Sequence, residues 1–240
     1  MAKRRGTAGP TTAAAQRAGA TPAAADAATA GDGASGDRGG GRRHRADGLR
    51  SRQAILAAAA ELATVEGLEG LSIGRLAEHV GMSKSGLYAH FGSKEELQLA
   101  TVDTAREIWD REVTERAATA TEGLTRLRAT CEAFLSYLVR GVFPGGCFFV
   151  SAAVELDAKD GRVPDHLREV YSELIDDLVT QALKAVERGE LAPTTDVGQL
   201  VFELDSLMLG ANVAFAFFKD GQAPDRARAG IDARLAAARA

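Results

Sequence analysis

The chain has 240 residues, 45% hydrophobic and 26% charged, and 29 Lys and Arg against 33 Asp and Glu leave a formal charge of −4. This suits one or two globular domains. Charged residues break every apolar run, which excludes a membrane-spanning helix because one needs about 18 uninterrupted apolar residues.

Residues 1–46 contain no Leu, Ile, Val, Phe, Trp or Tyr, and the stretch is rich in Ala and Gly. It cannot bury enough surface to offset its ordering entropy, so a disordered tail is expected. Met1-Ala2-Lys3-Arg4-Arg5 is followed by Gly, Thr, Ala and Pro instead of an apolar core, so no secretory signal is read and a cytoplasmic location is expected. Residues 1–50 hold nine Lys or Arg against four Asp, a net of +5, which leaves −9 for the remainder. The Arg42-Arg43-His44-Arg45 cluster suits either a polyanion contact or a solvated linker.

From Leu49 the pattern becomes helical, with no sustained two-residue alternation. A first helix is predicted over about Leu49–Glu66, with Ile55, Leu56, Ala59, Leu62 and Ala63 on one stripe and Gly67 as its C-cap. Ser72 caps a second helix, Ile73–Val80, stopped at Gly81. Ser83 opens a third, Lys84–Phe91, stopped at Gly92; Ser93 and Glu96 then form the capping box of a long fourth helix.

Ser72–Phe91 has the spacing of a helix-turn-helix, with Ala77 small at the crossing and Gly81 free to take the positive φ of a sharp turn. Met82 and Leu87 are expected to pin the third helix to the core, which leaves Lys84, Ser85, Tyr88 and His90 on its open face. Such a helix enters the major groove of double-stranded DNA, its N-terminal residues toward base edges and surrounding donors toward phosphates. Ser83 and Lys94 stand at the two helix starts, where N–H groups favour an anion. Residues 46–97 hold five Lys or Arg and seven Asp or Glu, so binding there relies on local placement and not on net field.

Glu66–Ala100, EGLEGLSIGRLAEHVGMSKSGLYAHFGSKEELQLA, resembles the DNA-binding domain of the tetracycline-repressor (TetR) family. The block Met82–Leu97 fits that family's recognition pattern almost throughout. Gly74 and Gly86 depart from it: the first weakens the second helix by up to about 1 kcal/mol relative to Ala and removes a side chain, the second reduces base readout. The resemblance implies an all-α protein with a three-helix DNA-binding domain (47–97) and a helical ligand-binding and dimerisation domain (98–240). It further implies a homodimer that binds a palindromic operator and is released by a small-molecule effector, usually as a repressor, with activation as the alternative.

Beyond Lys94 amphipathic segments are predicted over about Lys94–Ala118, Glu122–Arg140, Cys147–Leu156, Pro164–Arg188, Asp196–Lys219 and Asp225–Ala238. The Asp196–Lys219 segment is apolar around much of its circumference and carries Ser206, Gly210, Ala211 and Ala214, which suits pairing of the last two long helices across a dyad. Candidate pocket residues are Trp109, Phe134, Tyr137, Phe143, Phe148, Phe149, Leu174 and Phe215, with core packing as the alternative for each. Glu155, Asp157, Asp160, Glu173, Asp176 and Asp177 favour a cationic effector if they face it, with a solvated surface expected for most of them.

No cofactor, metal or catalytic residue is expected. Cys131 and Cys147 lack a nearby His or Cys for zinc and read as buried small hydrophobes or a redox sensor. An enzyme using Cys147 finds no obvious base near it, and no G-x-S-x-G, H-E-x-x-H or phosphate loop is present. A third reading is an interaction module whose basic tail contacts DNA without sequence preference.

Overall fold

The computed structural model describes residues 40–240, with side chains from Ser51 onward; the disorder expected for residues 1–39 lies outside them, whereas residues 40–46 of the expected tail are helical. All regular structure among the described residues is helical, apart from one isolated antiparallel bridge between Leu191 and Arg239. No described helix is long and apolar enough to cross a membrane.

α1 spans Gly40–Glu66 and so starts well before Leu49. The added turns contain no Pro but hold Gly40, Gly41 and Gly48 beside Arg, His, Ala and Asp, so α1 extends there against local propensity and without an apolar stripe. Its predicted stripe is buried from Ile55 to Ala63. α2 (Ile73–Val80) and α3 (Lys84–Phe91) have the predicted bounds. Ser72 Oγ accepts from Arg75 N, Ser83 Oγ accepts from Gly86 N, and Gly81 takes the left-handed conformation at φ 68° between the two helices.

α4 (Lys94–Trp109) runs without a break through a π-helical turn, Asp110–Thr114, into the short α5 (Glu115–Ala117). Then come α6 (Leu124–Val139), α7 (Phe148–Glu155), α8 (Arg162–Glu187), α9 (Val197–Ala216) and α10 (Ala223–Ala237). α4 lies along both α1 and α8, α6 packs on α8, α9 and α10, α9 pairs with α10, and α7 touches α1 and α8. One buried cluster runs through all these layers, from Ile55 to Ala238.

Two local expectations are corrected. Met82 is exposed and does not anchor α3; its amide holds the turn by donating to Ala77 O at 2.9 Å, while Leu87 and Phe91 fill the core below. Only half of the capping box forms: Ser93 Oγ accepts from Glu96 N at 3.1 Å, whereas the Glu96 carboxylate is drawn to Arg162 at 2.9 Å.

Candidate functional site

α3 presents two chemically different sides. Leu87 and Phe91 are buried, and Lys84, Ser85 and Tyr88 project into solvent, Tyr88 with 56% of its surface exposed. A half-exposed aromatic carrying a hydroxyl is poorly placed as core and well placed to reach a ligand. Ser83 spends its hydroxyl on the N-cap and lies 3.3 Å from Ser85 Oγ. His90 is half-buried, its ring tilted against Phe91 at 6.1 Å.

Gly74 has a steric role that its low helix propensity hides. A Cβ there would lie 3.3 Å from Lys84 Cε and 3.4 Å from Nζ, so the absent side chain gives the lysine stem a seat across α2. Lys94 is also engaged: its Nζ donates to Glu69 O at 2.5 Å, leaving two of three ammonium protons for another acceptor.

Arg52 and Arg75 were not singled out from sequence. The Arg52 guanidinium sits 5.3 Å from the Phe91 ring centroid, a cation–π contact. Arg75 grips the Glu66 carboxylate through Nε and Nη2, and the bond holds Glu66 below the usual carboxylate range. Neither pairing has a local sequence signal, because the partners lie on different elements.

The pocket candidates converge on one another. Trp109 stands 5.7 Å from Phe134, 6.1 Å from Tyr137 and 6.0 Å from Phe149, and contacts continue through Phe143 and Phe148 and out to Tyr171. Phe134, Tyr137, Phe143, Phe148, Phe149 and Leu174 are buried, while Trp109 is partly exposed. They form packed aromatic core where α4, α6, α7 and α8 meet. Among the surface cavities, one of about 540 Å³ lies between α4 and α8, lined by Asp103, Arg162 and His166 among others. Another of about 250 Å³ takes in Phe143 and Phe215.

The acids do not gather around the cluster. Glu155 accepts from Leu68 N and Glu69 N, Glu173 pairs with Arg106 at 3.0 Å, and Asp177 stands 3.9 Å from that arginine. Both thiols are buried, and desolvation pushes Cys131 up to about 12 and Cys147 up to about 11. Burial disfavours the thiolate at both, which suits small core hydrophobes.

A capped, glycine-turned helix pair with a polar open face, set on a helical bundle, defines a helix-turn-helix DNA-binding protein. Residues 55–101 match the bacterial regulatory proteins of the tetR family, and residues 123–231 match the tetracyclin repressor-like C-terminal domain. The chain belongs to the TetR family and is a DNA-binding transcriptional regulator, not an enzyme.

Over 84 residues it is 34% identical to the HTH-type transcriptional activator FasR of Mycolicibacterium smegmatis. That match spans 35% of this chain and only 38% of its relative. A TetR transcriptional regulator from Chloroflexus aurantiacus superposes with a TM-score of 0.71 at 27% identity, over 80% of this chain and 96% of the other. A cysteine-substituted form of the TetR-family regulator CifR, complexed with 26 bp double-strand operator DNA, gives 0.65 at 25% identity, over 78% and 96%.

Proposed function

We propose that the chain acts in the cytoplasm as a homodimeric repressor that reads a palindromic operator through paired α3 helices and is released by a small-molecule effector. Residues 47–97 carry the DNA contact and residues 98–240 the effector and dimer contacts. The carrying observation is an unpartnered apolar stripe on α9: Phe202, Ser206, Leu209, Gly210, Val213 and Phe217 recur on one helical face and all are exposed, Phe202 to 66% and Phe217 to 76%. α10 adds exposed Ala229, Ala233 and Ala236, small enough for close crossing. A two-fold pairing there covers the stripe and sets two α3 helices against half-sites roughly 34 to 36 Å apart.

On each half-site Lys84 and Ser85 meet base edges, Tyr88, Ser83 and Lys94 hold phosphates, and His90 lies at the edge of the contact. Trp109, Phe134, Tyr137, Phe148, Phe149 and Leu174 are the residues an effector displaces on entering the bundle. Differential binding of roughly 1 to 3 kcal/mol between two dimer states is enough for a switch. Activation is the second reading, favoured by the likeness to FasR, described as an activator.

The test is selection of binding sites from random DNA, followed by titration with wild type, Tyr88→Ala, Lys84→Ala and Leu209→Arg. Selected sites should contain a two-fold repeat, and each α3 variant should lose about tenfold in affinity, the cost of one good contact. Leu209→Arg should sediment as a monomer and lose the two-fold site. Selected DNA without symmetry, or α3 variants that bind like wild type, overturns the reading.

A further inference from the structure

α7 is eight residues long, and both ends are tied to distant parts of the chain. At its start Asn212 Oδ1, on α9, accepts from Cys147 N at 2.7 Å, and Gly145 N donates to Thr64 Oγ1 of α1 at 3.2 Å. Phe148 and Phe149 then enter the aromatic cluster. At its end Glu155 reaches the α1–α2 turn: Oε2 accepts from Leu68 N at 2.6 Å and Oε1 from Glu69 N at 2.9 Å. Gly67 makes room for this carboxylate, since a Cβ there would overlap Oε1, and its φ of +86° disfavours any side chain.

The α1–α2 turn does not need Glu155 for its own helix ends. α1 is already closed by Gly67 N donating to Ala63 O at 3.0 Å, and α2 is capped by Ser72. The turn is held from both sides instead. α7 binds its donors, while α4 binds its acceptors through Lys94 Nζ on Glu69 O and Gln98 Nε2 on Leu68 O at 2.6 Å.

We propose that Glu155 is a positioning residue that fixes the α1–α3 unit against α7, so that a shift of α7 within the aromatic cluster changes the separation of the two recognition helices. This rests on the homodimer reading above. Bonds between a carboxylate and backbone N–H groups are among the stronger kinds in proteins and are lost over small displacements. α7 is therefore a short lever whose one end senses core packing and whose other end sets the DNA-binding unit.

The test compares wild type with Glu155→Gln, which keeps size but places an amide NH₂ against one of the two donors. Three probes are used: the operator selected by wild type, the same DNA with one base pair added between half-sites, and a single half-site. The insertion moves the half-sites apart by about 3.4 Å and turns one about the DNA axis by about 35°, and wild type should lose about tenfold or more in affinity, whereas Glu155→Gln should lose less than about threefold. Single half-site affinity should match wild type, and hydrogen exchange at one of the two amides, Leu68 or Glu69, should quicken about tenfold without DNA, as loss of one such bond implies.

Gly67→Ala evicts the carboxylate from the other side and should give the same spacing profile, with no further loss in the double variant. Wild-type spacing discrimination in Glu155→Gln, or an equal loss on all three probes, overturns the proposal. A wild type indifferent to spacing overturns the homodimer reading and the lever with it, while unchanged amide exchange in Glu155→Gln rejects the clamp alone.

Discussion

α3 and α7 are both eight residues long, and they are held in place by opposite means. α3 is built from its neighbours: Ser83 caps it, Gly92 ends it, and Leu87 and Phe91 anchor it. α7 has no side-chain cap of its own; the amide of its N-cap residue, Cys147, is satisfied by Asn212, 65 positions away, and its last side chain serves a turn 86 and 87 positions back. Nearby caps set the bounds of α3, whereas the ends of α7 are satisfied by groups that only tertiary packing brings to them. The difference separates the element proposed to read DNA from the one proposed to position it.

The sharpest way to break this comparison is Leu87→Ala, which removes the fully buried anchor of α3. It should cost about 2 to 5 kcal/mol in urea denaturation and abolish DNA binding; a cost below about 1 kcal/mol would mean that caps alone hold α3. Asn212→Leu comes next. It leaves the Cys147 amide buried without an acceptor and should cost about 1 to 3 kcal/mol in the same assay. Ser83→Ala removes a local cap at an exposed helix start, where water substitutes in part, and should cost about 1 kcal/mol.

Asp205 gives the smallest effect and sharpens the contrast along α9, where Asn212 is paired. Burial raises its carboxyl pKa. With the folded value above the unfolded one, the protonated form is favoured in the fold, so stability is fully present below the unfolded pKa of about 3.9 and is lost as pH rises through the folded value. Asp205→Asn should therefore raise Tm by about 1 to 2 °C at pH 7 and leave it unchanged near pH 3.5, read by calorimetry. An equal gain at both pH values would trace the effect to packing.

Much of this was legible in the residues. The bounds of α2 and α3 follow from Ser72, Gly81, Ser83 and Gly92 because each cap acts within three or four positions. The α3 face separates in the same way, with Tyr88 outside and Leu87 inside. Glu155 looked like one more solvated acid at a helix end, since its partners are brought to it only by the packing of α7 on α1. Gly74 read as a weakness in α2, and its use as a seat for Lys84 is visible only once the two helices cross. Met82 misled because an apolar residue in a tight turn carries no sign of which way it points.

The π-helical turn after Trp109 has a consequence for length. Glu115 N donates back to Asp110 O, and Ile108 and Val113 both face the core although five positions separate them, against the four between Val113 and Ala117. In an unbroken α-helix of 3.6 residues per turn a step of five would swing Val113 away from that face. Deleting the exposed Arg111 should therefore return the turn to ordinary α-helix with Val113 still inside and little change in circular dichroism. Here the α4–α5 rod has a position of freedom in its length that it lacks in its phase.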